Sequence, residues 1–170
     1  MLNRNMFPRL LQMLCAIILA MSGLSCAQMS PPRNTVENRV DEIVSELVHL
    51  STSKVIRSEA VSRQDSLFLE LEEMGSAAVP AIVGHLNQFG PLAVNRIRLA
   101  NKFAGAWESH RTYSPEKVSD ALLAILGQVT RKTPPLKVDI FNGEGTDEDR
   151  TVAAKTWEMW LLSGYPGKAP

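Results

Sequence analysis

Cysteine is almost absent from this chain, and its two positions restrict the chemistry of the folded part. The 170 residues contain two cysteines, Cys15 and Cys26, and none follows Cys26. A domain beyond that point has no disulfide and no thiolate ligand for a structural zinc ion. Its stability must therefore come from the packing of apolar side chains.

An excess of positive charge is also missing. Two of the 18 basic residues, Arg4 and Arg9, lie near the N-terminus, which leaves 16 basic against 18 acidic residues in the rest. This balance excludes a typical nucleic-acid-binding domain. Locally the charges are uneven, because residues 59–73 hold five acids against one base and residues 96–137 hold eight bases against three acids. We interpret these ranges as two solvated faces, with a charged recognition surface as the alternative.

Familiar catalytic motifs are absent as well. The chain has no Gly-x-Ser-x-Gly sequence, no lysine-bearing phosphate loop and no spaced-glycine dinucleotide motif. His49, His85 and His110 are widely separated, and none has a second histidine at the spacing of a helical zinc pair. We therefore expect no cofactor, no metal and no catalysis.

The N-terminal block has the pattern of an export signal. Arg4 and Arg9 precede an uncharged run from Leu10 to Ser25 that is rich in Leu, Ile, Ala and Met, and Ser30-Pro31-Pro32 follows as a stiff linker. We interpret residues 1–26 as a signal peptide and residues 27–34 as a linker. A membrane span is the alternative reading of the apolar run.

The end of this signal bears on attachment to a membrane. Gly23-Leu24-Ser25-Cys26 resembles the lipobox of bacterial lipoproteins, although that family usually has leucine where this chain has Gly23. The resemblance implies a lipid on Cys26 and a protein tethered to the membrane in the periplasm. Cleavage after Ala27 by an ordinary signal peptidase is the alternative, and would give an exported protein without the lipid, either periplasmic or secreted.

Two short helices joined by a tight turn are predicted between Leu67 and Leu86. Leu67, Leu71 and Met74 recur at helical spacing, with the neighbouring glutamates largely on the opposite face. Gly75 supplies the left-handed residue that ends such a helix, Ser76 can cap the next one, and Pro80 falls in its first turn. The second helix has a buried stripe of Val79, Ile82, Val83 and Leu86, and ends at Phe89-Gly90-Pro91.

Three further helices are predicted. The first begins near Asn34 or Thr35, and its stripe is Val36, Val40, Ile43, Val44, Leu47 and Leu50. Ser114 and Pro115 start the second, whose apolar residues run from Val118 to Val129. Thr146 caps the third, which has an apolar side of Val152, Ala153, Thr156, Trp157, Trp160 and Leu161. We expect the two tryptophans of this last helix to pack in the core.

Two segments have weaker patterns. Ile97 and Leu99 alternate with polar residues, which suits an extended segment as well as a helix. Val138, Ile140 and Phe141 alternate before Asn142-Gly143, which favours a brief strand and turn that could pair with the Ile97 segment. The fold class predicted for residues 35–163 is thus all-α, with at most a minor β-hairpin or extended connector, and residues 164–170 form a tail.

A resemblance to a known family extends this reading. MGSAAVPAIVGHL, DALLAILGQVT and VAAKTWEMWL are similar to segments of small exported bacterial proteins with HEAT-like repeats, over roughly residues 61–162. The resemblance implies antiparallel helical hairpins and binding through a surface. Only one repeat unit is clear, whereas a solenoid normally needs about three, so a compact domain of divergent hairpins is expected.

An acidic cluster near the C-terminus has two readings. The oxygen ligands Asp139, Asn142, Glu144, Asp147, Glu148 and Asp149 surround two glycines, as in a calcium loop. Phe141, however, occupies the position where such a loop starting at Asp139 needs its second ligand. We interpret the carboxylates of residues 147–149 as residues that stabilise the start of a helix.

The best candidates for contact with a partner lie between residues 96 and 113. They share basic or aromatic character: Arg96, Arg98, Lys102, Trp107, His110, Arg111 and Tyr113. Such residues dominate many interfaces, but the aromatics of Trp107–Tyr113 could equally fill a gap between hairpins.

The functional hypothesis is an exported interaction or scaffold module that binds a protein partner in the cell envelope. One alternative is an envelope hydrolase or sugar-binding enzyme with Glu108 and Asp139 near His110. Another is an inhibitor or immunity-type protein. The sequence does not identify the partner.

Overall fold

The computed structural model describes residues 33–54, 56–132 and 139–164. The proposed signal, the lipidation site Cys26, Pro134-Pro135, Val138 and nearly all of the proposed tail lie outside these residues. The α-helices are α1 (Arg33–Thr52), α2 (Arg57–Met74), α3 (Val79–Gly84), α4 (Val118–Thr130) and α5 (Asp147–Leu162). Strands β1 (Ile97–Ala100) and β2 (His110–Tyr113) form a small sheet, and 3₁₀ turns cover Gly75–Ala78 and Ile140–Asn142.

The first two helices form an antiparallel pair. All six apolar residues predicted for the stripe of α1 are buried. Arg39 near the start of α1 donates two hydrogen bonds to Glu70 near the end of α2, at 2.6 and 2.8 Å. Arg63, in the first half of α2, likewise donates two hydrogen bonds to the carboxylate of Glu46 in α1. The ion pairs therefore fix the antiparallel register at the edge of an apolar interface.

The turn predicted after α2 is confirmed in part. Gly75 has φ +60°, and Pro80 lies in the first turn of α3, where its missing N–H breaks no helical hydrogen bond. Ser76 as a cap is wrong, because a 3₁₀ turn intervenes and the side chain makes no capping bond. The buried stripe from Val79 to Leu86 is correct, although α3 has only six residues.

Strand β1 pairs with β2 in an antiparallel arrangement. The expected pairing of the Ile97 segment with the Ile140 segment is therefore wrong. Ile140 instead starts a 3₁₀ turn that ends at Gly143, whose φ is +80°. The Asn142 amide also bridges two segments, since Oδ1 accepts the Ser114 N–H and Nδ2 donates to Asp139.

Helix α4 is the centre of the core, because every residue in it except Val129 is buried. It contacts α1, α2, α3 and β1. Its start differs from the prediction: Ser114 and Pro115 precede the helix, which begins at Val118. The Asp120 carboxylate accepts the backbone N–H groups of Glu116 and Lys117 at 3.2 and 3.0 Å. A charged acceptor thus replaces the hydroxyl cap that was predicted.

Helix α5 begins as predicted. Thr146 Oγ1 accepts the N–H of Asp149, whose carboxylate in turn accepts the N–H of Thr146. Trp157 is buried and packs edge-on against Trp160, with ring centroids 4.6 Å apart, which confirms the core role of Trp157. Val152 was assigned to the apolar side but is 57% exposed.

A buried ion pair joins the starts of α4 and α5. Arg150 is 3% exposed and Asp120 is fully buried. Nε and Nη2 of Arg150 donate to the two carboxylate oxygens of Asp120 at 2.7 and 3.0 Å, and Nη1 donates to the Gly145 carbonyl. The hydrogen bonds from Arg150 to Asp120 raise the pKa of Arg150 above its ordinary value.

None of the helices in the described ranges combines the length and the apolar character needed to cross a membrane.

We expect Arg150→Met to reduce the free energy of unfolding by about 3–5 kcal/mol, because it leaves the Asp120 carboxylate buried without its cation. Asp147→Asn is the control. Asp147 makes only an exposed contact with Arg150 at 3.2 Å, so its loss should cost less than about 1 kcal/mol. Denaturant unfolding of both variants measures the difference, and equal stability of Arg150→Met and Asp147→Asn would contradict the role of the pair.

The pairs between α1 and α2 should make stability depend on acid pH. Hydrogen bonds from Arg63 and Arg39 lower the pKa of Glu46 and of Glu70 below the ordinary value of 4.5. Because the folded pKa is below the unfolded one, their contribution is complete above pH 4.5 and is lost as the pH falls through the folded values. Both pairs are partly exposed, so each contributes less than about 1 kcal/mol.

The measurement is the free energy of unfolding of the native chain and of Glu46→Gln/Glu70→Gln at neutral pH and well below pH 4.5. The difference in free energy of unfolding between the two proteins should be smaller in acid than at neutral pH. Glu37→Gln, on the exposed side of α1, serves as the control and should show no such change. A difference in free energy of unfolding that is the same at both pH values would contradict the role of the Glu46 and Glu70 pairs.

Candidate functional site

The β-hairpin, defined here as residues 94–113 (strands β1 and β2, the loop between them and the three residues before β1), has one face toward the core and one toward solvent. Ile97 pairs with Tyr113 and Leu99 with Arg111, whereas Arg98 pairs with Thr112. Directly paired residues of an antiparallel ladder share a face. Since Ile97, Leu99 and Tyr113 are buried, Arg111 belongs to the inner face, although its own side chain is exposed.

Three buried polar side chains fix the β-hairpin to the helices. Gln64 of α2 donates to the Val94 carbonyl at 2.8 Å and accepts the Val94 N–H at 3.1 Å. Gln128 of α4 accepts the Lys102 N–H at 2.9 Å and donates to the Tyr113 hydroxyl at 2.7 Å. Both glutamines therefore satisfy their own polar groups by holding the hairpin.

Glu72 is the third of these anchors. Its Oε2 accepts the Ala100 N–H at 3.4 Å, and Oε1 lies 3.2 Å from Nζ of Lys102. Glu72 was predicted to be on the exposed face of its helix, yet it is buried. Lys102, one of the candidate contact residues, is therefore engaged within the chain.

The connection between the strands carries the most exposed aromatic side chain of the described residues. Trp107 is 90% exposed. The loop closes on itself, because the Asn101 N–H donates to the Ser109 carbonyl at 2.9 Å and Gly105 supplies a φ of +76°. Trp107 thus lies on an ordered hairpin loop and does not fill a gap between helices.

A partly enclosed pocket of about 290 Å³ lies beside the inner face of the β-hairpin. We call it the Arg111 pocket, and its lining comprises Phe103, Arg111, Tyr113, Ala124, Gly127, Asp139, Phe141 and Asn142. Cζ of Arg111 is 5.9 Å from the ring centroid of Phe103 and 5.5 Å from that of Tyr113. The Phe141 ring packs on Tyr113 at 5.9 Å. The guanidinium is thus held by aromatic rings.

The seven candidate contact residues do not form one surface. Arg111 and Tyr113 line the Arg111 pocket, with Tyr113 buried and bonded to Gln128. Arg98 and His110 are exposed, and their register places them on the outer face of the β-hairpin. The exposed Arg96 precedes β1, Trp107 is in the loop, and Lys102 is paired.

The residues of the enzyme alternative are divided. Asp139 lines the Arg111 pocket, whereas Glu108 and His110 are exposed and are not part of its described lining. The His110 Nδ1 atom lies 2.9 Å from the Ser109 hydroxyl. Within residues 33–54, 56–132 and 139–164, no three His, Cys, Asp or Glu side chains converge as metal ligands would.

Several residues of the site carried no signal in the sequence. Phe103 and Phe141 looked like ordinary apolar residues, and Gln64 and Gln128 like surface residues of amphipathic helices. A glutamine at a buried position of a helix stripe does carry a signal. A buried amide needs a hydrogen-bond partner, so such a glutamine indicates that another segment packs there.

Comparison with known proteins gave no relative: no protein-family model, curated protein or solved structure matches this chain.

We expect Gln128→Leu to loosen the β-hairpin. The change leaves the Lys102 N–H without its acceptor and the Tyr113 hydroxyl without its donor, at a cost of about 1–3 kcal/mol. Hydrogen exchange should accelerate at the Lys102 amide more than at amides within α1. Gln88→Leu, at an exposed position, is the control. Unchanged protection of Lys102 in Gln128→Leu would contradict the anchoring role.

Proposed function

We propose that this protein is an exported helical module of HEAT-like type that binds a protein partner in the cell envelope through the β-hairpin. The observation that carries the proposal is the exposure of Trp107 on a hairpin held by Gln64, Glu72 and Gln128. Covering the apolar surface of an exposed tryptophan with a partner is favourable, because that surface is removed from water. Tryptophan, tyrosine and arginine are also the residues that most often dominate binding energies.

The charges of the same region support a partner with an acidic surface. Arg96 and Arg98 are exposed, and neither has a carboxylate partner among the described residues. Arg39, Arg63 and Arg150, by contrast, are each paired with a carboxylate of this chain. Unpaired arginines at the edge of an interface accelerate association with an acidic surface and orient the two proteins as they meet.

The location and family are part of the same proposal. The apolar N-terminal run and Cys26 favour export and attachment to the membrane by a lipid, with ordinary cleavage and secretion as the alternative. The packed helix pair α1 and α2 favours a helical-hairpin architecture. Catalysis is not part of the proposal, and neither an enzyme nor an immunity-type protein is favoured by a specific contact in the site.

The proposal predicts that Trp107→Ala reduces capture of an envelope partner by at least about tenfold, because hot-spot tryptophans contribute about 2 kcal/mol or more. The full-length protein, crosslinked in intact cells and purified from the envelope, should recover a defined partner by mass spectrometry. Leu162→Ala is the matched control, since Leu162 is also highly exposed but lies at the end of α5.

Arg98→Glu should weaken capture as well, and more so at low salt, because it reverses a rim charge. Equal recovery of the same proteins by the native chain, Trp107→Ala and Arg98→Glu would overturn this placement of the surface. Loss of capture in Leu162→Ala alone would place the contact on α5 instead.

A further inference from the structure

The Arg111 pocket contains a cation whose hydrogen-bonding edge has no partner among residues 33–54, 56–132 and 139–164. The rings of Phe103 and Tyr113 contact the guanidinium at 5.9 and 5.5 Å, and a cation over a ring engages through its face. Guanidinium N–H donors point outward in its plane. No acceptor for them occurs within the part of the chain that the structure describes.

Other arginines of this chain show what such an edge binds. Arg39, Arg63 and Arg150 each donate through two nitrogens to the two oxygens of one carboxylate. This two-pronged arrangement is the strong and specific form of the contact. Arg111 has the same donors, held in place by aromatic rings and adjoining an open volume.

A second charged group in the pocket narrows the choice of ligand. Asp139 also lines it and makes no ion pair with Arg111. Asp139 Oδ2 accepts from Asn142 at 2.7 Å, and Oδ1 has no donor among the described residues. A phosphate dianion carries twice the charge of a ligand carboxylate and would be repelled more strongly by Asp139. A ligand with a carboxylate and an N–H donor satisfies both groups.

The size of the pocket gives a further limit. Its volume of about 290 Å³ is just below the range of about 300–1,000 Å³ that is typical of small-molecule sites. It is therefore suited to one amino-acid side chain with the adjoining peptide group. An acidic residue of a polypeptide supplies a carboxylate and a main-chain N–H within that space.

We propose that the Arg111 pocket binds the side-chain carboxylate of an aspartate or glutamate from the protein partner, with a main-chain N–H of the same segment bonded to Asp139. This inference rests on the proposed function, since it names the chemistry of the partner segment that enters beside the β-hairpin. Trp107 and Arg98 would then contact the remainder of that partner.

The test uses the isotope-labelled full-length protein and three probes: N-acetylglutamate amide, its neutral isostere N-acetylglutamine amide, and inorganic phosphate. The glutamate probe should shift the Nε–H signal of Arg111 saturably, and the other two should bind at least about tenfold more weakly. Absence of a saturable shift, or binding of phosphate as strong as that of the glutamate probe, would overturn the proposal.

Two variants separate the roles of the charges. Arg111→Lys keeps the charge but loses the two-pronged contact, so it should weaken the glutamate probe about tenfold, whereas Arg98→Lys, on the outer face, should not change it. Asp139→Asn should strengthen phosphate binding relative to the glutamate probe. Equal probe affinity in the native protein and Arg111→Lys would contradict the assignment. Amide spectra outside the pocket report whether each variant is folded.

The two proposals can fail separately. If Trp107→Ala abolishes partner capture while the glutamate probe leaves Arg111 unshifted, the pocket inference is wrong and the proposed function stands. If the probe binds at Arg111 but capture does not depend on the β-hairpin, the proposed function is wrong.

Discussion

The buried pair between Arg150 and Asp120 is the interaction on which the rest of the structure depends. Asp120 does two things with one carboxylate: it accepts the backbone N–H groups that precede α4, and it binds Arg150 of α5. The start of the central helix and the position of the last helix are therefore fixed by the same group. Because α4 is buried on nearly all sides, its placement determines where α1, α2, α3 and β1 can pack. A pair of this kind specifies an arrangement more than it adds stability, since its attraction is largely offset by the desolvation of both charges.

The position of the β-hairpin depends in turn on α4. A two-stranded hairpin is marginally stable alone in water, so it needs support from the helices. Gln128 of α4 supplies it on one side, and Gln64 and Glu72 of α2 supply it on the other. The part of the molecule with the most exposed tryptophan is thus bonded to the helices by three buried polar side chains.

Local signals in the sequence predicted the fold best where the interacting residues lie within one or two helical turns of each other. The apolar stripe of α1 and the Thr146 cap were correct for this reason. Ser114 failed as a cap because a competing acceptor, the Asp120 carboxylate, lies inside the following helix and is itself fixed by Arg150, which is 30 residues away. The alternation at Ile97 predicted an extended segment as one of its two readings, but nothing local indicated β2 as its partner.

The candidate site shows the same limit. The sequence predicted that Trp107 and Arg111 belong to a surface that contacts a partner, because basic and aromatic residues cluster between residues 96 and 113. It did not predict that Arg111 contacts the rings of Phe103 and Tyr113 and lines a pocket together with Asp139, since these residues are brought together by the pairing of β2 with β1 and the packing of the Ile140 turn against α4. This assembly has an energetic consequence for binding. A guanidinium already in contact with two rings, on a hairpin already anchored by buried amides, loses less conformational entropy when a ligand arrives than a free surface arginine does. The polar contacts that orient the β-hairpin are made during folding, so a partner need not supply the free energy for them.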